Sequence, residues 1–187
     1  MSLVFDESVE PGTKDYRTLL TRLKESEFDV FLANGQSDTT VAAVVEQLRA
    51  LGLKQPVIGT DTADSVTLGQ LAKEAVEGMR ALSVPSLTAS DPRSGPFIRA
   101  FEGKFDKPKS SLFFAALSYE ATRLLLETLE SAPKDGKALR EALENHTGYD
   151  SVVGTITFDT NGDIRGIPFA LKEFQNGQLV EVERIPL

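Results

Sequence analysis

The chain has 187 residues, 41% hydrophobic and 26% charged, a globular composition that excludes a disordered or fibrous polypeptide. Its 20 Lys and Arg against 28 Asp and Glu leave a net charge of -8, which argues against a nucleic-acid binder, because such a surface must be basic to displace counterions. Cysteine is absent and His146 is the one histidine, so disulfides, thiolate chemistry and multi-histidine zinc sites fall away.

Leu3-Val4-Phe5 reads as a short strand, and Pro11-Gly12 as a turn. Thr13 or Asp15 can cap a helix over about residues 14–26, where Tyr16, Leu19, Leu20 and Leu23 recur at helical spacing. Residues 29–33 read as a buried strand entering Asn34-Gly35. A helix follows from about Thr39 to Leu51, ended by Gly52. Residues 56–59 are a strand, residues 60–64 a loop, and Val66, Leu68, Leu71 and Ala72 a short helix; Met79 to Val84 is another strand. Alternating helix and strand with short loops implies parallel strands and an α/β fold.

The pattern changes after Pro85. Residues 86–96 read as a connection. Three helices follow: one carrying Phe97, Ile98, Phe101 and Phe105, one from about Ser110 to Ser131, and one from Asp135 to about Asn145. Val152 to Phe158 reads as one strand. Phe169–Phe174 and Leu179–Ile185 form a hairpin around Asn176-Gly177. No apolar run approaches the roughly 20 residues that span a bilayer, and no signal-peptide pattern opens the chain.

Right-handed crossovers place Ala33-Asn34-Gly35 and Ile58-Gly59-Thr60 at the same edge of the sheet. Ligands of open α/β sheets bind outside the carboxyl ends of strands, so loops 34–39 and 60–65 are the pocket candidates. In the loop from Gly35 through Gln36 to Thr40, Ser37, Asp38 or Thr39 can cap the next helix, and the loop can also supply ligand contacts at that helix N-terminus; both can hold together. Asp61 either caps the following helix or pairs with a cation, and Thr62 lies beside it.

Asp159-x-Asn161-x-Asp163 resembles the start of a calcium loop, but Ile164 and Ala170 stand where such a loop needs Gly and Glu, and a plain turn is the better reading. His146 reads as a helix C-terminal surface residue. No Walker loop, G-x-S-x-G, G-x-G-x-x-G or HExxH motif occurs, so nothing points to an enzyme or to a cofactor. A small hydrolase on an α/β sheet is the reading this disfavours.

Several segments, in order, resemble one family. They are Glu10-Pro11-Gly12-Thr13-Lys14-Asp15-Tyr16, Phe28-Asp29-Val30-Phe31, Gln47-Leu48-Arg49-Ala50-Leu51-Gly52-Leu53 and Pro56-Val57-Ile58-Gly59-Thr60-Asp61. Val76-Glu77-Gly78-Met79, Ser118-Tyr119-Glu120-Ala121 and Val153-Gly154-Thr155-Ile156-Thr157-Phe158-Asp159 follow, with Asn161-Gly162-Asp163 closing the series. The set is similar to the branched-chain amino acid-binding proteins, the periplasmic-binding-protein-like type I receptors of ABC importers.

The resemblance implies two α/β lobes joined by three crossovers, closing over a solute, of which this chain holds the later part. Residues 3–84 and 166–187 correspond to an incomplete lobe two, and residues 85–165 to the returning segment of lobe one. By the resemblance, Gln36, Ser37, Asp38, Asp61 and Thr62 face the ligand, with an acidic residue at 61 pairing with an ammonium. Ser37 stands where some relatives carry tyrosine, which leaves the side-chain pocket more polar or roomier. The implied function is solute binding for an ABC importer of amino acids, without catalysis, in the periplasm or outside the cell, with a membrane permease as partner. A sensory domain of the same fold, coupled to a signalling partner, is the alternative. The helices 97–105 and 112–129 would cover a sheet the chain lacks, so a dimer through those faces, a swapped arrangement or repacking onto the remaining sheet is expected.

Overall fold

The computed structural model describes residues 2–10, 12–106, 111–131 and 135–186. Pro11 of the expected first turn and Ser110 at the expected start of the long helix lie outside them. The chain forms two compact units, Met1–Ser83 with Ala170–Glu183, and Val84–Phe169 with Arg184–Leu187.

The first unit is α/β. Its helices are α1 (Arg17–Lys24), α2 (Asp38–Ala50) and α3 (Val66–Ala72), and its early strands are β1 (Phe31–Ala33), β2 (Val57–Gly59) and β3 (Arg80–Ser83). A five-stranded sheet runs in the order β1-β2-β3-β7-β8, where β7 is Phe169–Gln175 and β8 is Gln178–Ile185. β1, β2 and β3 are parallel, as the alternating pattern requires, and β7 is antiparallel to β3. Ala33 is paired with Gly59, so the carboxyl ends of β1 and β2 stand side by side and their outgoing loops are neighbours. Asn176 and Gly177, at φ 54° and 73°, turn β7 into β8, and Glu77 accepts from both their amides at 3.0 and 3.4 Å.

The core beneath this sheet contains Leu20 and Leu23 of α1, Val41, Val45 and Leu48 of α2, and Val57, Leu68, Val76, Met79 and Phe174. Each apolar helix face recurs every three or four residues, and burying it supplies the main favourable free energy. α1 begins differently from expectation. Tyr16, not Thr13 or Asp15, stands at its N-cap; its amide donates to Gln47 Oε1 at 2.7 Å, so a distant glutamine of α2 satisfies the helix end. Asp15 Oδ1 accepts from the Arg17 amide at 3.1 Å instead. Leu3-Val4-Phe5 is not a strand, because no neighbouring strand takes its backbone groups; Phe5 packs on the core and Leu3 is exposed.

The second unit holds α4 (Gly95–Glu102), α5 (Leu112–Ser131), α6 (Gly136–Glu144) and a small antiparallel sheet of β4 (Tyr149–Ser151), β5 (Gly154–Phe158) and β6 (Ile164–Arg165). The single strand expected over Val152–Phe158 is instead the second arm of a hairpin. Val152 and Val153 form its turn, because Gly154 adopts φ 141° and Ser151 Oγ donates to the Gly154 carbonyl at 2.6 Å. Phe113, Ala116, Glu120, Leu124 and Thr128 line the buried stripe of α5. Phe97, Phe101, Phe105 and Tyr119 form a ladder of tilted rings 5.0–5.8 Å apart, with Phe105 and Tyr119 well exposed. His146 follows the α6 cap, and its ring meets Tyr149 edge-on at 5.6 Å. Among the described residues, no helix is long and apolar enough to cross a membrane.

Candidate functional site

Five expected site residues sit on the two loops that leave β1 and β2. Ser37 is the N-cap of α2: it is extended, and its Oγ accepts from the Thr40 amide at 3.2 Å. A hydroxyl there satisfies a backbone donor that the first helical turn leaves open. Ser37 Oγ also lies 2.9 Å from Thr39 Oγ1 and 3.0 Å from Thr40 Oγ1. Asp38 Oδ1 accepts from the Thr39 amide at 2.7 Å, and Val41 N–H donates to the Ser37 carbonyl at 3.0 Å. The amides of Thr39, Thr40 and Val41 are thus taken within the chain, which favours the capping reading of this loop over an anion cradle.

The second loop is locked to the first. Thr62 Oγ1 donates to the Gly35 carbonyl at 2.8 Å, and Ser65 Oγ donates to Asp38 Oδ2 at 2.8 Å. Thr60 Oγ1 reaches Asn34 Oδ1 at 3.5 Å. Asp61 opens a turn of 3-10 helix, Asp61–Ala63. Its carbonyl accepts from the Asp64 amide at 3.0 Å, while its carboxylate is exposed and has no hydrogen bond or ion pair among the described residues. Gln36 is likewise exposed. Asp61 therefore does not act as a side-chain cap; it presents an uncompensated negative charge beyond the end of β2.

Gly59 allows this turn to close. A Cβ there would stand 2.5 Å from Ala63 Cβ and 2.7 Å from Met79 Cε. Beneath the turn lies a group the sequence reading missed. Asp64, Ser83 and Lys172 are all buried; Lys172 Nζ lies 2.6 Å from Asp64 Oδ2, and Ser83 Oγ donates to the same oxygen at 2.8 Å. In Phe169–Gln175 the apolar alternation suggests that Phe169 and Leu171 face inward, whereas the buried positions are Ala170, Lys172 and Phe174. The available signal was a lysine directly after Leu171, on the opposite face of that alternation.

Elsewhere, Asp159 accepts from the amides of Asn161 and Asp163 at 2.9 and 3.0 Å and pairs with Arg165, as a plain turn should. Among the described residues no group of three or more acidic or histidine side chains is placed to hold a metal ion.

An open parallel sheet with paired loops at its strand ends, extended by an antiparallel hairpin, is the α/β fold of type I periplasmic binding proteins. The chain belongs to that family: the family model described as "Periplasmic binding protein" matches residues 1–176. The Leu/Ile/Val-binding protein of Escherichia coli (strain K12) is 27% identical over 183 residues, which cover 97% of this chain and 48% of that protein. The Leu/Ile/Val/Thr-binding protein of Salmonella typhimurium is 27% identical, over 98% of this chain and 49% of the relative. These relatives are binding proteins, not enzymes. A leucine binding protein of Thermotoga maritima superposes with a TM-score of 0.82 at 25% identity, over 95% of this chain and 50% of that one. A solute binding protein of Rhodopseudomonas palustris in complex with benzoate superposes at 0.79 with 18% identity, over 99% and 51%, a likeness of fold alone. The chain spans about half the length of the relatives it matches.

Proposed function

We propose that this chain is the later half of the solute-binding component of an ABC importer for amino acids of the branched-chain type or related small polar solutes. The reading places it outside the cytoplasmic membrane, with a membrane permease as its partner. Residues 3–84 and 166–187 are read as part of lobe two, and residues 85–165 as the returning part of lobe one.

The observation that carries this is the exposed carboxylate of Asp61 at the end of β2, which has no partner among the described residues, whereas Ser37, Asp38, Thr62 and Ser65 of the same two loops are engaged with one another or with the backbone. An unpaired carboxylate held on a fixed turn is suited to a ligand ammonium, because a charge-assisted hydrogen bond is stronger than a neutral one. Gln36 and Asp61 would meet the ligand directly. Ser37, Asp38 and Thr62 would shape the face through the bonds they already make. The relatives named for Leu, Ile, Val and Thr binding support an amino acid as the solute.

Calorimetry with leucine, isoleucine, valine and threonine on the complete gene product tests the reading. Asp61→Asn should cost about 1.5–3 kcal/mol, roughly ten- to hundredfold in Kd. Unchanged affinity overturns it. The 187 residues alone should bind weakly, and micromolar binding by them would contradict the half-site reading. Association through the exposed Phe97–Phe105 face belongs to the same proposal, and a sharp monomer mass in sedimentation counts against it.

A further inference from the structure

Lys172 is 3% exposed and sits in a core-facing row between Ala170 and Phe174, opposite Ala81 on β3. An apolar side chain of similar length would fill that space without a charge. Burying an ammonium and a carboxylate costs several kcal/mol of desolvation per ion, and their attraction barely repays it. The pair therefore adds little to stability that a methionine would not. What it adds is direction: Asp64 Oδ2 is held at 2.6 Å by Lys172 and at 2.8 Å by Ser83, from two strands of the sheet.

Asp64 ends the 3-10 turn that carries Asp61 and Thr62. Ser65, the next residue, donates to Asp38 Oδ2 in the first turn of α2, and Thr62 donates to the Gly35 carbonyl. A chain of bonds thus runs from Lys172 through both strand-end loops. We infer that Lys172 is a positioning residue for the ligand face: through Asp64 it sets the Thr60–Ser65 loop against the start of α2, and so fixes where Asp61 points. The significance for ligand binding rests on the function proposed above; the loop geometry itself does not.

Amide hydrogen exchange on the 187-residue chain, without ligand, separates the two. The reporters are the hydrogen-bonded amides of Ala63, Ser65, Thr40 and Val41, and the reference is Leu20, whose amide bonds Tyr16 in α1. The test variant is the double substitution Asp64→Leu with Lys172→Met, which removes both charges and keeps the core filled. Expected is an unfolding midpoint lowered only by the loss of the Ser83 hydroxyl's acceptor, with loop exchange raised by tenfold or more and Leu20 unchanged. Loop amides exchanging at the parent rate overturn the inference. So does equal acceleration of Leu20, which marks a global stability effect. Should the double variant not fold, Ser83→Ala removes only one donor to Asp64 and should raise exchange at Ser65 at least about threefold; no change there overturns the inference as well. Failure of Asp61→Asn to weaken binding would remove the proposed function while leaving this result standing.

Discussion

Tyr149 donates its phenolic hydrogen to Glu120 Oε2 at 3.0 Å, and that carboxylate has no exposure to solvent. Glu120 Oε1 accepts from the Val152 amide at 3.0 Å, and Arg123 lies 3.3 Å from Oε2. One buried carboxylate therefore joins α5 to the β4–β5 hairpin of the second unit. Removing it strands a backbone donor and a phenol. Glu120→Ala should lower stability by about 3–5 kcal/mol in urea denaturation, and Tyr149→Phe by about 1 kcal/mol. Equal, small losses in both variants would contradict the clamp.

The same contact sets an alkaline limit. Burial, and then the hydrogen bond to Glu120, push the Tyr149 phenol from 10.0 up to about 12. The folded state thus favours the neutral phenol. Its contribution to stability is complete below about pH 10 and is lost as the pH rises through about 12. A phenolate absorbance titration should show a step near pH 12 that disappears in Tyr149→Phe, and the same variant should flatten the alkaline limb of the stability curve.

Asp159 sets an acid dependence of opposite sign. The Asn161 amide, then the Arg165 guanidinium and the Asp163 amide, hold its carboxyl below 3.8. Stability from this turn is present above about pH 3.8 and is lost as the pH falls through the lower folded value. Asp159→Asn should make the acid limb shallower and speed amide exchange at Asn161 and Asp163. Added calcium should leave both amides unmoved.

Gly59 is where the site tolerates least change. Alanine would press on Ala63 and Met79 at 2.5 and 2.7 Å, and Ala63 is fully buried. Gly59→Ala should cost about 1–3 kcal/mol, measured by thermal unfolding. Adding Ala63→Gly should return part of it, and no recovery would show that the clash lies elsewhere.

The alternation of helix and strand, the parallel sheet, the α2 cap at Ser37 and the Asn176-Gly177 turn were legible because each depends on neighbours within a few residues. The family resemblance was legible for a related reason, as an ordered set of short local patterns. The strand at Tyr149–Ser151 was not, since those three residues show no apolar alternation; it forms because Gly154 lets the chain fold back on it. At the N-terminus of α1 only part was legible: Asp15 takes the Arg17 amide, a contact two residues long, whereas the amide of Tyr16 at the N-cap finds Gln47, 31 residues away.

The sequence by itself determined which residues stand at the ends of β1 and β2, because local periodicity and turn chemistry place the strands. Only the tertiary structure decided which of those residues are free to act. Asp38 and Thr62 are engaged across 27 residues, and Asp64 is neutralised by a lysine 108 residues later. The physical reason is that a carboxylate's charge is visible in its letter, whereas its partner is chosen by packing. Asp61 stands out as the unpaired one only once every neighbour has been accounted for.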